Sequence, residues 1–246
     1  MMFLVFMVCL AVLAVSAAKE RFGGNRYEEI MLPMRDGVKL HTVIVYPRKN
    51  DGTQKYPAIM DRSPYGYQDL EWFADLFSPF GFVTIGQDMR GTEKSEGNFT
   101  MWAADQYDSR DLGDWIVSQP WSNGEVMTFG ASADGLASYQ TPKTVPSWLT
   151  AQYIVWAPSH IYQILFPFGT YKQRTTEDWL LGLTMPNPDF VNVDIELVHR
   201  NEAFTDFWKK VELSDEQIST IKARNAFWGG WYDLFILGKL VQYIRP

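Results

Sequence analysis

The residue of this sequence most suited to chemistry is Ser132, which lies in the segment 127–135, MTFGASADG. An apolar, strand-like run leads into this serine, and glycines stand at positions 130 and 135. Glycine lets a strand and a helix approach closely around a sharp turn, and such a turn lifts a serine hydroxyl out at the carboxyl edge of a sheet. We therefore predict a nucleophile elbow at Ser132, although the second glycine comes one residue later than in the usual G-x-S-x-G spacing. An ordinary strand-turn-helix junction explains the same residues equally well.

An activated serine needs a general base, and the base needs an acidic group that orients it. Asp233 follows the strand-like segment 225–230 and has the position of such an acid, whereas its alternative role is that of a helix N-cap. The histidines of the chain are His41, His160 and His199. We expect His41, in a hairpin strand, and His199, on a charged helix, to be exposed. His160 follows a core strand and is the least unfavourable substitute for the base.

The segment after Asp233 is too short for a further helix and strand of typical length. We therefore expect the general base to be missing from this sequence. Three explanations remain open: the sequence is a fragment, the gene model stops early, or the protein has abandoned the chemistry.

Strand-like and helix-like segments alternate through most of the chain. A hairpin is predicted over 30–47 around the Asp36-Gly37 turn. Strands are expected at 56–60, 81–86 and 151–157, and helices at 69–77 and 105–118, the latter with Tyr107, Leu112, Trp115 and Ile116 on its apolar face. Such alternation predicts an α/β fold with a doubly wound, mostly parallel sheet.

The alternation stops after position 160, where aromatic-rich segments are broken by prolines at 167, 186 and 188. Two helix-like stretches, 196–210 and 214–223, lie in this part, which we interpret as an inserted helical cap. The predicted organisation is a signal peptide over 1–18, the first part of the core over 19–160, the cap over 161–222, and the continued core over 223–246.

The N-terminal segment 2–15 is uninterrupted apolar sequence, followed by small residues at 16–18. It is shorter than the ~20 residues that cross a bilayer, so it predicts a cleaved signal peptide, with a membrane anchor as the alternative. We expect a secreted protein of the extracellular space or endomembrane lumen, without stable membrane insertion after processing. The sequon at Asn98 could carry a glycan. A formal charge of -7 argues against nucleic-acid partners.

Several motifs in their shared order resemble the X-prolyl dipeptidyl-peptidase and bacterial cocaine esterase family of α/β-hydrolases. They are MRDGVKL at 34–40, RSPY at 62–65, QDMRG at 87–91, SEG at 95–97, QPWSNG at 119–124, the Ser132 elbow, APS at 157–159 and GWYD at 230–233. The resemblance implies a serine acyl-enzyme mechanism on a small ester or peptide substrate, with no cofactor and no metal. The family's closing Gly-Pro-Trp-x-His segment and its jelly-roll domain have no counterpart in this sequence.

Carried over by position, the resemblance makes Ser132 the nucleophile and Asp233 the acid of the triad. It makes the Tyr65 hydroxyl one oxyanion donor and the backbone N–H of Ala133 the other. The family usually has tyrosine after the nucleophile, whereas Ala133 and Asp134 follow it here. We expect Asp134 to be an ordinary charge at the helix N-terminus that points away from the oxyanion.

Two further functions stay open from the sequence alone. A secreted, non-catalytic binding protein could keep the fold and an aromatic pocket, and an interaction subunit could be completed by another chain that supplies the histidine. The sequence does not specify the oligomeric state or the substrate.

The predicted signal peptide is tested by the mature N-terminus. We expect protein secreted from its natural host to begin near Ala18 or Lys19, because small residues at 15–18 fit a cleavage site. N-terminal mass spectrometry measures this directly. Soluble protein that retains Met1 would remove the secretion hypothesis.

Overall fold

The computed structural model describes residues 21–48, 53–66, 70–184, 194, 196–233 and 235. Within them a seven-stranded sheet has the order β1-β2-β4-β3-β5-β6-β7. The strands are β1 Tyr27–Pro33, β2 Lys39–Val45, β3 Tyr56–Ser63, β4 Val83–Asp88, β5 Ser122–Ala131, β6 Leu149–Val155 and β7 Arg224–Trp228. Strand β2 pairs antiparallel with β1 and β4, and the other neighbouring strands are parallel. The predicted mostly parallel sheet is confirmed.

The N-terminal hairpin turns where the sequence predicts it. The Met34 N–H donates to the Val38 carbonyl at 2.8 Å, and the Gly37 N–H donates back to Met34 at 2.9 Å. Gly37 has a φ of +87°, which glycine adopts without steric cost. This turn fixes the register of β1 against β2.

Helices cover both faces of the sheet. Helix α1, Leu70–Phe77, packs Leu70, Phe73 and Ala74 against one face. Helix α2, Asp105–Ser118, packs Leu112 and Ile116 against the other face. Strands between them are buried on both sides, as the near-continuous apolar runs predict. The doubly wound architecture is therefore confirmed.

Helix α3, Ala133–Gln140, follows β5 directly. In the described residues between β6 and β7 there are five α-helices, namely α4 Ile161–Leu165, α5 Gln173–Thr184, α6 Glu196–His199, α7 Asp206–Val211 and α8 Asp215–Thr220. Helix α5 was not predicted from the sequence, and the predicted single helix over 196–210 is wrong. The side-chain amide of Asn201 donates to the Leu197 carbonyl at 2.7 Å, and the Trp208 indole N–H donates to the backbone carbonyl of Asn201 at 2.6 Å. These local bonds compete with the helix and separate α6 from α7.

The segment 161–222 is fastened to α3 and to the loop that follows it. The Gln140 side chain donates to the Val211 carbonyl at 2.6 Å, and the Lys143 ammonium donates to the Lys210 carbonyl. Glu212 accepts the Tyr162 N–H at 2.7 Å, and its burial raises the pKa of its carboxyl to about 7. These contacts hold the helical segment above the carboxyl edge of the sheet.

A buried ion network joins β3, β4 and α2. Arg62 is only 3% exposed, contacts Asp105 and lies 3.6 Å from Asp108. Arg90 donates to Asp108 at 2.6 Å and to Asp36 in the hairpin turn at 2.8 Å. The inner face of α2 is thus partly acidic. Tyr107, expected on that face, is instead exposed under the guanidinium of Arg35.

Two expectations for histidines are wrong. His41 is buried, with Nδ1 2.8 Å from Asp88 and Nε2 3.2 Å from Glu29. Burial is the largest single effect and opposes the charged imidazole, but the hydrogen bond and charge of Asp88, together with the bond to Glu29, outweigh it and raise the pKa of His41. His199 also faces the protein, because its Nε2 lies 3.0 Å from Glu177 of α5. The hairpin pattern around His41 and the charge pattern around His199 do not show which distant residues pack against these side chains.

No helix in the described ranges has the length and apolar character needed to cross a membrane. The predicted signal peptide over 1–18 lies outside the described residues.

The buried ion network predicts a large difference between two arginines. Arg62→Met removes the guanidinium that contacts buried Asp105, leaves Asp108 with Arg90 alone, and should lower the free energy of unfolding by ~3–5 kcal/mol. Arg174→Met removes an exposed pair with Asp178 and should change it by less than about 0.5 kcal/mol. Urea denaturation of both variants measures this. Equal effects would show that the buried network does not stabilise the fold.

Candidate active site

The turn at Ser132 separates the end of β5 from the start of α3. Ser132 has φ 56° and ψ -118°, a backbone region that non-glycine residues rarely adopt. Its N–H donates to the Val155 carbonyl at 2.9 Å, and its carbonyl accepts the Leu136 N–H at 3.1 Å. The strand on one side and the helix on the other therefore hold the strained residue in place, and the predicted elbow geometry is present.

The two glycines make this turn possible by close approach. A Cβ at Gly130 would collide with the backbone of Asp134 in the first turn of α3. A Cβ at Gly135 would lie 2.5 Å from the Cβ of Ala157, just after β6. The second glycine, one residue later than in the usual spacing, thus lies at the contact of α3 with the segment after β6.

Tyr65, in the loop after β3, meets Ser132 at the carboxyl edge of the sheet. Its hydroxyl oxygen accepts the Trp179 indole N–H at 2.8 Å, and the Ser132 hydroxyl is a second hydrogen-bonding partner. Although 39% of the residue is exposed, burial of its hydroxyl end raises the pKa above the usual 10.0. The Asp134 charge adds to the rise, and the two hydrogen bonds oppose it. The phenol therefore keeps its proton at neutral pH.

The backbone N–H of Ala133 opens α3 beside Ser132. No acceptor for it is recorded in the described part of the chain. The N–H groups at a helix N-terminus carry partial positive charge and attract anions. Asp134 is buried, and its negative charge contributes to the raised pKa of Tyr65. The site therefore combines two donors with a nearby carboxylate.

An apolar pocket of about 240 Å³ opens beside Ser132. Its walls come from α3, from the loop before α2, and from α4 and α5. The lining side chains include Met101, Trp102, Leu136, Ile164, Leu165 and Trp179. Lys172 and two threonines, Thr175 and Thr176, complete the lining.

Asp233 lies in the turn after β7 and is half-buried. Its carboxylate accepts the Phe235 N–H at 3.0 Å, a local bond between a side chain and the backbone two residues on. Phe235 lines the same pocket as Ser132. The turn that carries Asp233 therefore reaches the mouth of the pocket.

The histidines do not form a pair with Ser132 in the described structure. His41 contacts Asp88 and Glu29, and His199 contacts Glu177. His160 Nδ1 lies 2.8 Å from the Ser159 hydroxyl.

Sequence reasoning missed Trp102 and Trp179 as residues of this site. They are on separate segments, before α2 and within α5, and their indole rings stack with centroids 5.7 Å apart at 6°. No motif spacing links them, because folding alone brings the two segments together. No group of acidic, histidine or cysteine side chains in the described ranges could hold a metal ion.

The elbow predicts opposite outcomes for two glycine substitutions. Gly130→Ala forces a methyl group into the α3 backbone and should lower the free energy of unfolding by at least about 2 kcal/mol. Gly182→Ala, in an open position of α5, should leave it unchanged or raise it by ~0.5–1 kcal/mol. Thermal or urea unfolding compares them. A tolerated Gly130→Ala would contradict the close approach.

Comparisons with known proteins agree with this geometry. The sequence profile of X-Pro dipeptidyl-peptidases (S15 family) matches residues 36–190, more than half of the chain. Cocaine esterase of Rhodococcus sp. (strain MB1 Bresler) is 34% identical over 119 residues, which are 45% of this chain and 20% of the esterase. The chain thus spans about a fifth of the length of this curated relative.

Solved structures share the fold. A CocE/NonD family hydrolase from Staphylococcus aureus has a TM-score of 0.69 at 24% identity, covering 78% of this chain and 39% of that one. An esterase from Pyrococcus furiosus has a TM-score of 0.60 at 14% identity, covering 92% and 78%. The α/β-hydrolase fold and the resemblance inferred from the motifs are both confirmed. The chain belongs to the X-Pro dipeptidyl-peptidase (S15) family of serine hydrolases.

Proposed function

We propose that this chain supplies the nucleophile and the oxyanion site of a serine hydrolase that cleaves a small ester or peptide through an acyl-enzyme. The observation that carries the proposal is the strained turn at Ser132, which brings its hydroxyl to the Tyr65 phenol and next to the N–H of Ala133. Family membership supports the same reaction class.

In this mechanism the Ser132 oxygen attacks the carbonyl carbon while its proton passes to a general base. The carbonyl oxygen becomes negative and accepts hydrogen bonds from the Tyr65 hydroxyl and the Ala133 N–H, each typically contributing ~2.7–4 kcal/mol. Collapse expels the alcohol or amine, which takes the proton from the base. Water then attacks the acyl-enzyme and releases the acid, which restores the serine.

The apolar pocket supports a substrate with an apolar acyl group. The pocket opens at Ser132 and is lined by Trp102, Leu136 and Trp179, so a group bound there would lie next to the attacked carbonyl. Burial of such a group contributes roughly 25 cal/mol per Å². We assign the pocket to the acyl side of the scissile bond.

Asp233 is proposed as the triad acid, since it lies in the turn after β7 that reaches the pocket through Phe235. The base is proposed to be a histidine outside these 246 residues, in a further part of the same protein or in another chain. The contacts of His41, His160 and His199 with other partners support this assignment.

A non-catalytic binding protein is the second candidate. The observation that favours it is that Ser132 has no histidine partner in the described part of the chain, whereas the apolar pocket is well formed. In that case the pocket would bind an apolar ligand without turnover.

The organisation and location of the protein are also proposals. The chain is divided into core and helical cap at 161–222, and the apolar N-terminus supports secretion to the extracellular space or endomembrane lumen. Asn98 is exposed, which is compatible with a glycan. No nucleic-acid partner is proposed, because the net charge is -7.

Reactivity of Ser132 with a fluorophosphonate probe tests the proposed role. Without a neighbouring base the 246-residue chain should label slowly, because loss of a triad member typically costs on the order of 10⁴–10⁶ in rate. The slow labelling that remains should disappear in Ser132→Ala and persist in His160→Ala. Labelling kinetics followed by intact-protein mass spectrometry give all three rates.

Two outcomes would change the assignment. Rapid labelling that both Ser132→Ala and His160→Ala abolish would make His160 the base. Labelling that does not depend on Ser132 would remove it as the nucleophile and favour the binding protein.

A further inference from the structure

Trp102 is hydrogen-bonded to Ala133, the first residue of helix α3, which follows Ser132. Its indole N–H donates to the Ala133 carbonyl at 3.0 Å, and the side chain is 1% exposed. Ala133 is the residue whose own N–H is the proposed oxyanion donor. An anchor on the Ala133 carbonyl limits rotation of α3 at its first turn and so fixes the residue that carries this N–H.

Trp179 is hydrogen-bonded to the other proposed oxyanion donor, Tyr65. Its indole N–H donates to the Tyr65 hydroxyl oxygen at 2.8 Å. A phenol oxygen has two lone pairs and one hydrogen. The bond from Trp179 occupies a lone pair and leaves the Tyr65 hydrogen for a different acceptor. Trp179 thereby restricts the directions in which Tyr65 can donate.

The two indoles are joined to each other. They stack at 5.7 Å with an interplanar angle of 6°, and Phe99 packs edge-on against both. Stacked and edge-to-face aromatic contacts favour defined ring orientations. The two indoles thus form a continuous chain of contacts from the Ala133 carbonyl to the Tyr65 hydroxyl.

The backbone near Trp102 is strained in the same region. Met101 and Trp102 have φ values of 50° and 68°, which lie in the left-handed region that residues other than glycine rarely adopt. Such residues persist where the surrounding structure fixes them, and they cluster at functional sites. The strained pair Met101-Trp102 thus carries the ring that stacks on Trp179.

We propose that Trp102 and Trp179 are positioning residues that orient the two oxyanion donors, the Tyr65 hydroxyl and the Ala133 N–H, and that an acyl group bound in the adjoining pocket contacts the same two indoles. Both indoles line that pocket, so a bound group packs against the stack that holds Tyr65. The proposal rests on the proposed serine hydrolase function for its catalytic meaning. The contacts themselves can be tested without turnover.

The test uses NMR of the 246-residue chain labelled with ¹³C at the tyrosine ζ-carbon, with Tyr65 assigned by Tyr65→Phe. Trp179→Phe keeps the aromatic ring and removes the N–H. It should move the titration of Tyr65 to higher pH, because the indole bond lowers the pKa of this phenol. Trp179→His restores a ring N–H and should return the titration toward that of the wild type.

A matched tryptophan serves as the control. Trp72→Phe, on the exposed side of α1, should leave the Tyr65 titration and the Ala133 amide resonance unchanged. Trp102→Phe should shift the ¹⁵N amide resonance of Ala133 beyond any shift in the control. Circular dichroism confirms that each variant is folded.

An unchanged Tyr65 titration in folded Trp179→Phe would overturn the proposal. If Trp179→Phe does not fold, the indole ¹H–¹⁵N resonance of Trp179 is compared in wild type and Tyr65→Phe. It should shift, and an unchanged resonance would also overturn the proposal. These readouts do not require Ser132 to react, so they fail independently of the probe-labelling experiment.

Discussion

The close approach of β5 and α3 is the constraint on which the site depends. Glycine at 130 and 135 lets the helix begin almost against the strand, and Ser132 takes up the resulting strain with a φ of 56°. That conformation costs on the order of 1–3 kcal/mol and needs support from its surroundings. The hydrogen bonds from Ser132 to Val155 and from Leu136 to Ser132 give that support.

The remaining structure brings other loops to the same edge. The buried network of Arg62, Asp105 and Asp108 fixes β3 relative to α2, and the loop after β3 carries Tyr65. The bonds from Gln140 and Lys143 fasten α7 to α3 and to the loop after it, and the bond from Trp179 to Tyr65 holds α5 near Ser132. Three separate stretches of chain thus meet at one hydroxyl because the sheet and the ion network align them.

Much of the fold could be predicted from the sequence, because local patterns determine it. The helix over 105–118 has the predicted bounds, the Asp36-Gly37 hairpin forms where expected, and the glycines around Ser132 indicate the elbow. The positions of His41 and Trp179 could not be predicted in this way. Their partners lie far along the chain, so only the tertiary structure shows that His41 is buried or that Trp179 bonds to Tyr65.

We infer that the Tyr65 hydroxyl and the Ala133 N–H converge on one oxyanion formed at Ser132. A crystal structure of the chain after slow modification by a fluorophosphonate would show this arrangement. We expect a bond from Ser132 Oγ to phosphorus, with the phosphonyl oxygen about 2.7–3.1 Å from both the Tyr65 hydroxyl and the Ala133 nitrogen. A Ser132 adduct whose oxygen points to solvent, away from both donors, would show that these groups do not form an oxyanion site.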